Sequence, residues 1–169
     1  MIKLTIDTMI VRDFLDPSRP NHSTAVELFR LDEVKLCELR VVSRVKADIN
    51  GGPLREELEA LEIYRRPMIP TIGQWDLSDW GEDFWATDEQ VQEFDALLKL
   101  VFPLSDHSHR EHRNRVIDIG HLLGHKLAGR DLFLSNEKAF FGQAVALERN
   151  FSIRVMKSAN AVEVIGQRL

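Results

Sequence analysis

Apolar and polar residues alternate over 2–6, with Ile2, Leu4 and Ile6 set against Lys3 and Thr5. That period predicts a half-buried β-strand near the start of the chain. Asp7 and Thr8 follow at its C-terminal end, and Asp16-Pro17-Ser18-Arg19-Pro20-Asn21 is a turn cluster. A helix is expected from Ser23 to about Leu31, and a second short strand over 34–39. Val41, Val45, Asp48 and Ile49 then fall at helical spacing, which predicts a helix over 41–49. Asn50-Gly51-Gly52-Pro53 stops it and lets another helix run over 54–64. Residues 65–88 hold no period, and prolines and glycines sit there among Trp75, Trp80 and Trp85. Helical periodicity returns over 89–102. A polar loop is expected over 103–111 and a helix over 114–127. Strands are expected over 131–135 and 153–156, a helix over 137–150 between them, and a last turn or helix over 159–167.

Short apolar strands separated by helices predict an α/β fold, a mostly parallel sheet with helices on both faces. Its 169 residues fit one domain, with a helical or irregular insertion or arm at about 51–105. Composition changes this picture little. The chain is 44% hydrophobic and 29% charged, which excludes wholesale disorder. A net charge of −5 argues against a broad basic surface coating nucleic acid, though not against a smaller basic patch. Cys37 is the only cysteine, so no intramolecular disulfide and no cysteine zinc cage can form. Met-Ile-Lys-Leu-Thr-Ile-Asp meets an aspartate before any long apolar stretch, unlike a signal peptide. No run approaches the ~20 apolar residues of a spanning helix. A soluble, cytoplasmic protein with no membrane association is expected.

Parallel sheets gather their sites at the C-terminal ends of strands, so acids at those ends come first. Asp7 directly follows the first strand; it would either cap a helix beginning near Met9 or serve a site. Asp118 lies in Val116-Ile117-Asp118-Ile119-Gly120-His121-Leu122-Leu123-Gly124-His125, where nearly everything around it is apolar. A first-turn aspartate is favoured by the helix dipole. On a mostly buried helix, however, a carboxylate is costly unless paired or metal-bound. Gly120 and Gly124 make sense if this helix lies close against the sheet. Glu137 opens a helix after a strand, as capping glutamates also do. Asp48 alone reads as an exposed helical acid.

Together these acids form a pattern. "LTIDT" at 4–8, "VVSRVKAD" at 41–48, "VIDIGHLLGHKLAG" at 116–129, "LFLSNEKAF" at 132–140 and "IRVMKSANAVEVI" at 153–165 resemble the PIN domain. That family is a metal-dependent nuclease fold found in VapC-type toxins and RNA-processing enzymes. The resemblance covers most of the chain outside about 51–105. It implies a PIN-like three-layer sandwich in which Asp7, Asp48, Asp118 and Glu137 converge on Mg²⁺ or Mn²⁺. It further implies an endoribonuclease acting on RNA, the toxin of a toxin–antitoxin pair with an antitoxin-like protein partner. The family usually carries Glu where Asp48 stands, Asp where Glu137 stands and Thr where Ser135 stands. Those departures open a second reading, a catalytically impaired module that binds RNA or a protein partner.

Four carboxylates suit hard cations, which lower the pKa of bound water and neutralise charge developing on phosphate. Ser135 and Asn136 would orient a ligand or contact phosphate. Asp118, His121 and His125 share a helix face, but the spacing of a zinc-protease motif is absent. His121 would instead assist proton transfer or touch substrate. His107, His109, Arg110, His112, Arg113 and Arg115 make the most cationic stretch, either a solvated loop or a contact for an RNA backbone. The tryptophans would fill core or seal a homodimer or antitoxin groove.

Overall fold

The alternation at the start of the chain builds the central rung of a four-stranded sheet. The computed structural model describes residues 1–49, 55–74, 77–78, 83–103 and 109–167. Strands β1 (Ile2–Ile6), β2 (Cys37–Arg40), β3 (Leu132–Leu134) and β4 (Val155–Met156) lie in the order β2-β1-β3-β4, every pairing parallel. Leu4 stands opposite both Leu39 and Leu132, so one row of side chains runs across the sheet.

Two cores follow from the strand period. Leu4, Ile6, Leu39, Leu132 and Leu134 face one layer, formed by α1 (Thr8–Leu15), α2 (His22–Glu33) and α10 (Ser158–Gly166). Leu58 of α4 (Arg55–Ala60) and Ile63 of α5 (Glu62–Arg65) join it. Phe133 faces the other layer, with α6 (Asp88–Val101), α7 (His109–Leu127), α8 (Lys138–Gly142) and α9 (Ala144–Phe151). The result is an α/β sheet flanked by helices on both faces, the three-layer arrangement expected. Each leucine or isoleucine so buried contributes ~1.5–3 kcal/mol relative to exposure. The segment read as an insertion or arm supplies Leu58 and Ile63 to one core and Phe94, Leu97 and Val101 to the other.

Several boundaries differ from expectation, each for a local reason. The second strand begins only at Cys37, because α2 ends in a turn with Lys35 at φ 63 and Leu36 N donating to Leu31 O. The helix expected over 41–49 is α3 (Arg44–Ile49). Val41 and Val42 stay extended because Ile69 bonds to them: Ile69 N donates to Val41 O and Ser43 N to Ile69 O, both at 2.9 Å. The 54–64 helix breaks at Leu61, whose ψ of 138 is extended, and the 137–150 helix breaks at Gln143. Conversely, α6 starts at Asp88, where Thr87 and Gln90 form a reciprocal capping box.

The close approach implied by Gly120 and Gly124 exists, but past the end of β2 rather than on the strands themselves. A Cβ on Gly120 would stand 2.8 Å from Arg44 Cγ, and one on Gly124 would stand 2.7 Å from Val42 Cγ1. Trp85 is 84% exposed and so is not core; Trp75 and Trp80 lie outside the described residues. Cys37 is buried, and burial pushes its thiol up to about 12, which makes it a packing residue. Among the described residues no helix is long and apolar enough to cross a membrane.

Candidate functional site

Strands β1 and β3 end side by side. Asp7 N donates to Leu134 O at 3.1 Å, so the Asp7 side chain leaves the C-terminal edge of the sheet. It caps α1, accepting from Ile10 N at 3.0 Å, which is the capping role open from sequence. Ser135 directly follows β3 and is fully buried. Its hydroxyl donates to Asp7 and accepts from Glu137 N at 3.0 Å. Glu137 in turn caps α8 through Ala139 N at 3.5 Å. One hydroxyl therefore ties the first and last acids of the pattern together.

Asp118 sits in the middle of α7, because that helix begins at His109 instead of Asn114. The favourable first-turn dipole is thus absent, and the burial cost stands without it. One turn further, His121 Nε2 lies 3.4 Å from Thr8 Oγ1, which brings this face of α7 to the start of α1. Asp48, near the end of α3, is held from α1: Arg12 Nη2 donates to Asp48 O at 3.0 Å and lies 3.8 Å from Asp48 Oδ1.

The four acids act on one another. Burial pushes Asp118 up to about 8, and the charges of Asp48, Asp7 and Glu137 push in the same direction. Burial likewise pushes Asp7 up to about 7 against the bonds from Ser135 and Ile10, with Asp48 and Asp13 adding repulsion. Near neutral pH the cluster therefore keeps a proton on Asp118 and shares one at Asp7. Convergence stops short of closure: among the described residues no three His, Cys, Asp or Glu side chains stand close enough together to hold an ion between them. The donor chemistry nonetheless fits a hard divalent cation. All the donors are carboxylate oxygens that repel one another, and Mg²⁺ keeps several waters while taking one or two carboxylates directly.

The histidines take other work. His125 bonds Thr5 Oγ1 at 2.9 Å and sets its edge against Phe133, so it anchors α7 to β1. His121 is 2% exposed, and its Nδ1 is buried with no hydrogen-bond partner among the described residues. Burial pushes both rings down to about 4, so both are neutral at pH 7. Ser135 orients Asp7, as above. Asn136 is a strut: its Nδ2 donates to Asp13 Oδ2 at 3.1 Å and its Oδ1 accepts from Ser158 at 3.2 Å. Arg113 Nη2 reaches Ala47 O at 3.4 Å, and Arg115 lies 5.0 Å over the Phe102 ring. His107 and the side chains of His109 and Arg110 lie outside the described residues.

Sequence reasoning missed two supports. Asp13 is 1% exposed and accepts from Arg19 Nε at 2.5 Å as well as from Asn136, which fixes the loop that carries Glu137. Arg44 is fully buried and pairs with Asp83 at 3.2 Å while donating to Leu77 O at 2.7 Å and Ile72 O at 2.5 Å. Asp83 also accepts from Ser43 Oγ at 2.5 Å and Thr71 N at 3.3 Å. This network pins the irregular stretch to α3. Its signal was a lone arginine in the run Val41-Val42-Ser43-Arg44-Val45.

No family model, no curated protein and no solved structure matches the chain.

Proposed function

We propose that the protein is a Mg²⁺- or Mn²⁺-dependent endoribonuclease of PIN type. The observation that carries this reading is the mid-helix carboxylate of Asp118, pushed up to about 8 amid Asp48, Asp7 and Glu137. An acid so placed is unfavourable to the bare fold and gains a rationale if a cation balances it. Asp7 and Asp118 would hold the ion, with Asp48 and Glu137 acting directly or through water. The ion would supply an activated water and neutralise charge on the phosphate and on the leaving oxygen. Ser135 fixes the direction of the Asp7 carboxylate, and the Asp13–Asn136 strut holds Glu137 in register. Single-stranded or looped RNA is the substrate of this reading, because its phosphates and bases are exposed. A place in a toxin–antitoxin pair, with a protein antitoxin, belongs to the same reading.

A second reading has its own support. Asp7 and Glu137 both cap helices, and no three acids meet among the described residues. That favours a PIN-like module that has lost catalysis and binds RNA or a protein partner. One experiment separates the two. Synthetic single-stranded RNA is incubated with the protein in Mn²⁺ or in EDTA, with Asp118→Asn as control. Cleavage in Mn²⁺ alone, lost in the variant, supports the nuclease. RNA retained intact but bound, equally in both conditions, supports the binding module.

A further inference from the structure

The sheet order β2-β1-β3-β4 leaves β2 and β4 as edges. An edge strand carries unpaired N–H and C=O groups and can take on another chain. β4 has two residues, a short edge of the kind that resists such pairing. β2 has four, and its outer side is closed by other parts of the chain. Leu39 N donates to Asp32 Oδ1 at 2.8 Å, and Leu39 O accepts from Arg66 Nη1 at 3.3 Å. Asp32 lies near the end of α2 and is 5% exposed, and Arg66 directly follows α5. The two pair at 2.7 Å, so one ion pair occupies both main-chain groups that Leu39 turns away from β1. A further bond, from Arg66 Nη2 to Glu62 Oε1 at 3.0 Å, ties the guanidinium to α5.

The cover continues past the end of the strand. Ile69 bonds to Val41 O and Ser43 N in a parallel bridge that sets it opposite Val42. Counting back in that register places Arg66 opposite Leu39. Residues 66–69 therefore run along 39–42 as a false fifth strand, in which the Arg66 side chain takes the place of a backbone donor. Pro67 and Pro70 lie on either side of Ile69 and have no N–H, so the cover offers no continuous row of donors to a further strand. Arg40 Nη1 donates to Pro67 O at 3.4 Å, and Met68 packs against the first core, which holds the cover in place.

We propose that the Asp32–Arg66 pair is a latch that closes the β2 edge against a second copy of this chain. The partner follows from symmetry. Without the pair, each copy presents the same short strand, and two such strands meet across a two-fold axis in a self-complementary contact. Main-chain hydrogen bonds then supply the affinity, as in other cases of strand addition. An ion pair suits the task because it satisfies a donor and an acceptor at once. Neither partner can leave alone without stranding the other charge in a mostly buried place. The latch is independent of the nuclease reading.

The test uses the full chain with Asp32→Ala and Arg66→Ala together, which opens both Leu39 groups and leaves neither charge of the pair buried alone. Sedimentation equilibrium over a wide range of protein concentration should show a discrete dimer, formed at least about tenfold more tightly than by wild type, since main-chain hydrogen bonds are gained. Hydrogen exchange locates the contact. The Leu39 amide should exchange at least about tenfold faster than in wild type when the variant is dilute, and slowly again when it is concentrated. Thermal melts show whether the double variant folds. Arg66→Lys keeps the charge beside Asp32 but lacks the fork that reaches Leu39 O, so it serves as the second probe and should dimerise less tightly than the double variant and more tightly than wild type. Folded variants that associate no more than wild type overturn the latch. So does association in which the Leu39 amide still exchanges freely.

Discussion

Asp118→Asn separates a carboxylate that serves a cation from one that serves the fold. The Asp118 carboxyl is raised from 3.8 to about 8, first by burial and then by Asp48, Asp7 and Glu137. Its folded-state pKa lies above the unfolded value. The stability linked to it is therefore fully present below about pH 3.8 and is lost as pH rises toward 8. Each unit is worth ~1.4 kcal/mol, so at pH 7 the upper value is ~4 kcal/mol. Asp118 is only partly buried, and solvent screening brings the expected cost to ~2 kcal/mol. Asparagine keeps the shape and removes the charge. In EDTA the variant should match wild type near pH 4 and exceed it by ~2 kcal/mol at pH 7, a rise of about 4–8 °C in Tm. Metal reverses the order. Wild type should gain ~2.7 kcal/mol at a hundredfold excess of Mn²⁺ over Kd, and the variant should lose most of that gain. Thermal melts of both proteins at pH 4 and 7, with Mn²⁺ or EDTA, read all four corners. If wild type gains nothing from Mn²⁺ and the variant melts lower at pH 7, Asp118 is a structural residue and the cation site does not exist.

Three further outcomes follow from the packing. Gly124→Ala should destabilise by ~1–3 kcal/mol in urea, despite the ~1 kcal/mol gain in helix propensity, and Val42→Ala in the same chain should recover part of the loss; a stabilised single variant would contradict the 2.7 Å approach. Arg44→Met leaves Asp83 buried without its partner and should cost ~3–5 kcal/mol, whereas Arg44→Met with Asp83→Leu should cost much less; equal urea midpoints for the two would refute a paired interior. His125, pushed down to about 4 by burial, makes the folded state the weaker proton binder between about pH 4 and 6.5. Its share of the stability should therefore fall there on acidification by ~1.4 kcal/mol per unit; His121 pulls the same way and Asp7 and Asp118 the opposite way, so the measure is the stability of wild type minus that of His125→Gln in urea, which should be smaller at pH 5 than at pH 7.

The parallel sheet and its order of elements were legible because the strands are short, apolar and separated by helical periods. Their ends were less so. Val41 and Val42 have helical spacing with Val45, yet Ile69 captures their backbone, and a partner that distant in sequence leaves no local trace. Asp118 was legible as an anomaly, an acid in an apolar run, although its helix starts a turn earlier than its own residues suggest. Asp48 joined the candidate site only through the resemblance to the PIN domain, since on its helix it looks like any exposed acid. The supports were hidden for the same reason as Ile69. Asp13 and Asn136, or Arg44 and Asp83, acquire meaning only when far segments meet.

The pairing of β1 with β3 has a consequence for how the protein is made. Asp7 is synthesised before its backbone partner Leu134 and its side-chain partner Ser135, which belong to a segment made about 130 residues later. At ~5–20 residues per second, the first acid waits on the order of 10 s for the last. During that interval β1 can pair only with β2, and Glu137 does not yet exist. The acids of such a nascent chain cannot come together until the segment that carries Ser135 and Glu137 has left the ribosome. A nuclease built from them would stay inert until then.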